Sequence, residues 1–247
     1  MICELEDTSK AEKLFEGWED SCIYSCLQKV MGKIYVNDLN EPRSAVAVVG
    51  CFAFYAGEPD SELILGKPEG FLILMPQDER WAALIEECLP DAEKKTRYAI
   101  RKDTQFDRPS LERIASELPT GYELRNIDAE VYDMCIDIPL LADLVSTFGS
   151  KEKFLELGRG VVVMRDGRPV AGSSSYSSYR EGIEIEVDTV EEERRKGLAS
   201  AASAALIISC LDDGLYPNWD AANMASVGLA EKLGYEFSHE YVCYHVE

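Results

Sequence analysis

Apolar residues recur along this chain at two periods, and the change from one to the other marks out the elements. Over Lys10–Met31, Leu14, Trp18, Cys22, Ile23 and Cys26 fall near one face at helical spacing and predict a helix. Ser44–Tyr55 reads as a β-rich apolar run, and Gly70–Met75 as a second, short and buried one. Pro76–Leu89 returns to helical spacing, with Trp81, Leu84, Ile85 and Cys88 on one face. Tyr98–Arg101 predicts a further strand and Ser110–Leu118 a further helix.

The cluster Leu118-Pro119-Thr120-Gly121 is a break in the pattern. It divides the chain into an N-terminal domain, residues 1–118, and a C-terminal one, residues 119–247. Beyond it the pattern is more regular. A strand at Tyr122 leads to a helix over Asp128–Cys135, and Ser150 caps a helix to Leu157. Gly160–Arg165 and Arg168–Gly172 flank Asp166-Gly167, the pairing that most strongly predicts a hairpin. Ser173–Tyr179 continues the second arm, Glu181-Gly182 turns, and Ile183–Thr189 makes a third antiparallel strand. A helix follows over Gly197–Leu211, then a strand over Leu215–Ala221. The helix Asn223–Leu233 is closed by Gly234 in the left-handed region, and Tyr235–Val246 is terminal β structure. The sequence shows no internal repeat.

With 46% hydrophobic and 29% charged residues, the 247-residue chain can bury a substantial core. No apolar run approaches the roughly 20 residues that cross a bilayer. The acidic first ten residues lack the basic start of a secretory signal, which predicts a cytoplasmic protein. A net charge of −21 repels nucleic acid and anionic membranes and suits a cationic small molecule or a basic peptide, although acidity also serves solubility alone. The eight cysteines (Cys3, Cys22, Cys26, Cys51, Cys88, Cys135, Cys210 and Cys243) include no C-x-x-C pair. With only His239 and His245 beside them, no zinc-ligand spacing and no metal site is predicted. The cysteines read as small core residues and both histidines as structural.

Against this acidity one basic stretch stands out, Val187-Asp-Thr-Val-Glu-Glu-Glu-Arg194-Arg195-Lys196-Gly197-Leu198-Ala199. It reads as strand, short loop and helix start, an arrangement that turns successive backbone N–H groups toward an anion and predicts a phosphorylated cofactor. Gly197 allows close approach because it has no Cβ, Ala199 keeps the next inward position small, and Arg194 adds charge-assisted bonds. The N–H groups of Lys196 to Ser200 are free at a helix start. In the preceding strand Glu184, Glu186 and Asp188 alternate with Ile183, Ile185 and Val187, so the three acids share one face. A carboxylate there could act as a general base. The same alternation is what any half-exposed strand shows.

Three stretches carry a family resemblance. Arg194–Ala199 has the form R-x-x-G-x-A, it follows the strand Ile183–Thr189, and Asn223–Tyr235 has the form N-x-x-S-x-x-L-x-E-K-L-G-Y. In this order they resemble the GNAT superfamily of N-acetyltransferases over about residues 120–247. Tyr216-Pro-Asn-Trp-Asp220, with Asn223 and Ser226, is similar to its zwittermicin-resistance-type branch. The resemblance implies an α/β (α+β) protein: a mixed, largely antiparallel sheet flanked by helices, preceded by a smaller α/β N-terminal domain. It implies direct transfer of an acetyl group from acetyl-CoA to an amine of a small, cationic acceptor. The backbone of Val187, Asp188 and Thr189 would line the pantetheine. Arg194, Arg195, Lys196, Gly197, Leu198, Ala199 and Ser200 would hold the pyrophosphate, and Asn223 and Ser226 would touch the pantetheine arm besides capping their helix. Glu186, and after it Glu184, would be the general base. The chain departs from the pattern at Ala230, where many members of the superfamily carry Tyr; Tyr216, Ser226 or solvent would then protonate the thiolate, if it needs protonating. That departure keeps open a second reading, a sensor or interaction module that binds CoA without turnover.

Overall fold

The computed structural model describes residues 2–247. Its first elements show how a single residue breaks an apolar period. After strand β1 (Cys3–Glu4), the segment that reads as one helix is two: a 3-10 helix over Thr8–Phe15 and α1 (Ser21–Leu27). Gly17, at φ 79°, turns the chain between them, and Asp20 caps α1 by accepting the Cys22 N–H at 2.9 Å. After β2 (Lys33–Val36), the run Ser44–Tyr55 likewise folds back on itself at Gly50, φ 55°, into β3 (Ser44–Val49) and β4 (Phe52–Gly57). There follow α2 (Ser61–Leu65), β5 (Leu72–Pro76), α3 (Glu79–Cys88) and β6 (Glu93–Ile100).

The later part of the chain runs α4 (Arg108–Ser116), β7 (Tyr122–Asn126), α5 (Ala129–Ile136), α6 (Pro139–Ser146), α7 (Lys151–Leu157), β8 (Gly160–Arg165) and β9 (Arg168–Tyr179). It continues through β10 (Gly182–Thr189), α8 (Leu198–Asp212), β11 (Tyr216–Asn218), β12 (Asp220–Ala221), α9 (Met224–Lys232) and β13 (Phe237–Val246). Helix α6, begun by Pro139 in its first turn, was not visible as a periodic segment. The chain divides into two compact units. The first runs to Arg97 and takes in Glu240–Glu247; the second is Tyr98–His239. This division precedes the Leu118–Gly121 break because α4 belongs to the second core. Its Leu111 and Ile114 are buried with Ile183, Ile207, Trp219 and Tyr235.

Within the first unit the strand order is β1-β2-β3-β4-β5, and β5 pairs antiparallel with Tyr244–Val246. Tyr55, Leu74, Trp81, Ile85 and Tyr244 form its core. The second unit holds a five-stranded sheet, β11-β10-β9-β8-β7, with the apolar face of β10 in the core that α8 covers. The two units repeat one topology. In chain order β1 to β6 and β7 to β13 each run strand, short helical segments, three strands, helix, strand, helix, strand, the two-residue β12 aside, with Glu240–Val246 of the closing β13 lying in the first unit. In each the first four strands are antiparallel neighbours in sequence order. In each the fourth and fifth run parallel: β4 with β5, and β10 with β11.

Candidate active site

The site begins where two parallel strands part. Strand β10 pairs with β9 from Gly182 to Thr189 but with β11 only over Gly182–Glu184 opposite Tyr216–Asn218. The chain then leaves β10, and Asp220 and Ala221 pair instead with Ala99 and Tyr98. Asn218 holds the fork: its buried amide donates to Tyr179 Oη at 2.9 Å and to the Ile183 carbonyl at 3.1 Å. The residue opposite Ile183 is Pro217, which has no N–H to give. Beyond the fork, the edge of β10 from Ile185 to Thr189 has no β11 partner.

Val190 donates its N–H to Val170 on the β9 side. By strand alternation the backbone groups of Asp188 and Glu186 also serve β9, and those of Val187 and Thr189 face the open edge. Of the three residues expected to line a pantetheine through their backbone, Val187 and Thr189 are therefore placed to do so and Asp188 is not.

The acids of β10 have different surroundings. A bulge places Tyr176 of β9 opposite the Glu184–Ile185 step. Glu184 is buried, and its charge, after burial itself, helps to hold the phenols of Tyr179 and Tyr235 above their ordinary range. Glu186 is half-buried and reaches the open edge, where its Oε1 accepts the N–H of Val187 at 3.2 Å. Asp188 faces Asp143 of α6. Burial first, and the Asp143 charge second, push its carboxyl up to about 6, against the pull of Arg194. Ile183, Ile185 and Val187 pack in the opposite direction, into the core with Ile207, Trp219 and Tyr235.

The loop after β10 leads to a helix start without a side-chain cap. Glu191–Glu193 form a 3-10 turn, then Arg195 and Gly197 both take positive φ, 62° and 82°. Gly197 is the N-cap of α8 and no side chain caps the helix. The N–H groups of Leu198, Ala199 and Ser200 have no acceptor among the described residues, and a Cβ built on Gly197 meets nothing within 4 Å. Arg194 Nε donates to the Thr189 carbonyl at 3.3 Å, and Arg195 is exposed.

Lys196 is committed elsewhere: its ammonium donates to Glu193 Oε2 at 2.7 Å. Arg165 donates to Glu193 Oε1 at 2.6 Å, and the Tyr122 hydroxyl to Oε2 at 2.5 Å. These donors, Lys196 first, hold the Glu193 carboxyl down at about 2. Of the basic run, Arg194 and Arg195 are left to meet a phosphate with their side chains, and Lys196 contributes its place in the loop. The Glu193 cluster was not foreseen; the acid three residues before Lys196 was the signal for it.

On α9, Asn223 Oδ1 accepts the Ser226 N–H at 3.0 Å, the expected cap, while Ser226 Oγ accepts from Trp219 Nε1 at 3.1 Å. Lys232 donates to Ser200 Oγ at 3.1 Å, tying α9 to the first turn of α8. Ala230 is fully buried in the core. Tyr216 Oη accepts the Thr104 N–H at 3.1 Å, which leaves its own proton to donate. Among the described residues no group of three or more His, Cys, Asp or Glu is placed to hold a metal ion.

A family model described as GNAT acetyltransferase matches residues 12–244. The chain belongs to the GNAT acetyltransferase family. The match extends beyond the motif-bearing residues 120–247 into both units. The chain is 25% identical over 237 residues to an uncharacterized N-acetyltransferase, YdfB, of Bacillus subtilis, covering 90% of this chain and 89% of that protein. The crystal structure of a GCN5-related N-acetyltransferase-like protein from Streptococcus suis superposes with a TM-score of 0.92 at 43% identity, over 97% and 98% of the two chains. A tandem GNAT protein from the clavulanic acid biosynthesis pathway shares the fold, with a TM-score of 0.56 at 13% identity over 100% of this chain and 98% of that one. The acetyl-CoA that the family uses fits the residues present. The loop supplies unpaired amides, two positive-φ residues that aim them, and open space at Gly197 where a side chain would intrude.

Proposed function

We propose that this acetyltransferase moves an acetyl group from acetyl-CoA directly to an amine of a small, cationic acceptor, with both substrates bound at once. The observation that carries the reading is the fork: the edge of β10 opens at Ile185 and ends at the unpaired amides of Leu198, Ala199 and Ser200. An extended arm with a phosphate at one end fits that track. When bound, acetyl-CoA supplies an activated acyl carbon and a thiolate leaving group. The chain's own residues do the rest. The amides and Arg194 and Arg195 hold the phosphate end, and the edge of β10 at Val187 and Thr189 aligns the arm by strand-like pairing, the arm displacing the Glu186 carboxylate from the Val187 N–H and Arg194 Nε from the Thr189 carbonyl.

An ammonium has no lone pair to attack with, so a base must take its proton. Glu186 is the residue placed for this, since its carboxylate lies on the open edge beside Val187. Glu184, deeper and against Tyr179 and Tyr235, is placed to balance the charge of the bound amine, and the Asp143–Asp188 pair adds further negative charge. No cysteine is needed as a nucleophile, and Cys210 and Cys135 have thiols pushed up to about 12 by burial.

The test is free-thiol release from acetyl-CoA across a panel of polyamines, aminoglycosides and amino acids. Release with cationic amines is expected. Glu186→Gln should lower kcat by about a hundredfold, within the range general bases contribute, and leave coenzyme affinity unchanged. Tight coenzyme binding with no release anywhere in the panel would overturn the reading in favour of a sensor.

A further inference from the structure

The repeated topology makes the first unit a copy of the frame that carries the site in the second, so the two can be compared position by position. In the second unit the turn from the fourth strand to the following helix is long and uncapped, and carries the cations Arg194, Arg195 and Lys196 after three glutamates. In the first it is Gly57-Glu58-Pro59-Asp60, with no cation. Asp60 Oδ1 already accepts the Glu62 N–H at 2.9 Å, and the helix behind it, α2, has five residues against the fifteen of α8. A carboxylate stands here where the second unit offers amides to an anion.

The strands differ in the same sense. β10 and β11 part after Glu184, but β4 and β5 stay paired from Phe52 with Ile73 to Tyr55 with Pro76, and the Gln77 N–H extends the ladder to the Tyr55 carbonyl at 3.0 Å. At Gly57, the end of β4, both backbone groups are taken by side chains. Its N–H donates to Gln77 Oε1 at 3.0 Å, and its carbonyl accepts from Trp81 Nε1 at 3.1 Å. Gln77 is held in turn by donating its Nε2 to the Leu14 carbonyl at 2.7 Å. Trp81 is fully buried against Tyr55, ring centroids 5.3 Å apart. The counterpart of the open edge is thus zipped, and its last donor and acceptor are plugged.

We infer that the first unit is a second copy of the acetyltransferase frame, closed to coenzyme by its own Gln77, Trp81 and Asp60, so that the chain binds one coenzyme molecule, in the second unit. This rests on the reading of the α8 loop given above. The test is titration calorimetry of CoA into the full chain and into Gly197→Asp. Asp tolerates positive φ, meets no neighbour at that position, and sets a carboxylate among the anion-binding amides, so the variant should fold and lose affinity by about a hundredfold. One CoA per chain, lost in the folded variant, is the expected result. Two per chain would overturn the inference and leave the reading of the α8 loop standing, as the second copy would then be open. One per chain retained at full affinity in the variant would overturn it by placing the site outside the α8 loop. No binding to the parent chain would overturn both, and would be recognised by the absence of any heat before the variant is compared.

Discussion

At the scale of single residues, the acid face of β10 shows how one strand gives three carboxyls three environments. Glu184 is buried beside phenols, Glu186 leans on the open edge, and Asp188 faces another acid. The last is measurable without knowing the acceptor. The Asp188 carboxyl is raised from an ordinary 3.8 to about 6 by burial and by Asp143. Between those two values the folded chain holds more protons at this site than the unfolded one. The contribution of Asp188 to stability therefore falls as pH rises through that window and stays at its lowest above it. Asp188→Asn removes the repulsion. The variant should melt higher than the parent at pH 7, with the difference shrinking as pH is lowered toward 4. Thermal unfolding of both proteins across that range checks it, and a difference constant with pH would mean the side chain acts through packing alone.

At the scale of elements, the anion loop is held from outside. Glu193 draws together Tyr122 of β7, Arg165 of β8 and Lys196 of the loop, which fixes the turn through Arg195 and Gly197 to the sheet edge. Glu193→Gln leaves the shape but removes the charge that three donors share. KM for acetyl-CoA should rise about tenfold, the scale of one lost charge-assisted hydrogen bond, with kcat at saturation unchanged. Steady-state kinetics separates the two, and an equal fall in kcat would assign Glu193 to the chemistry instead.

This clamp also shows what was legible in the sequence. Features with local causes were: the Asp166-Gly167 hairpin, Gly197 before α8, Asn223 as the cap of α9 and the alternating acids of β10. Features made by residues distant in sequence were not. The Lys196–Glu193 pair is local, but Tyr122 and Arg165, which complete the cluster, come from strands far away in sequence. Ser226 Oγ also accepts from Trp219 Nε1, a contact that the capping pattern does not announce, and keeps its own proton to donate. The fork depends on Asn218 reaching Tyr179 and Ile183, which no period encodes. The apolar run Ser44–Tyr55 concealed a hairpin because both of its strands are buried, and the repeat itself was invisible because the two copies keep topology and not residues.

At the scale of the whole molecule, electrostatics acts over distances no single side chain covers. Forty-six acidic against twenty-five basic residues leave a charge of −21, while Arg194 and Arg195 put two cations at the site proposed for the coenzyme phosphate. The long-range field and the local site therefore favour opposite charges. A cationic acceptor is attracted by both the overall field and the acids of β10, so every electrostatic contribution to its capture has one sign. Salt weakens all of them together: near physiological ionic strength the Debye length is about 8 Å, and only contacts inside the cleft survive it. For a polyamine acceptor, kcat/KM should fall steadily as ionic strength is raised from low values, through KM, with kcat unchanged. For acetyl-CoA, repulsion by the whole and attraction by the loop are screened at once, so its KM should move much less. Initial rates measured with each substrate varied against salt decide the matter. An acceptor KM indifferent to salt would mean that the acidity of the chain serves solubility, and that the acceptor amine is recognised by the shape of the cleft or arrives uncharged.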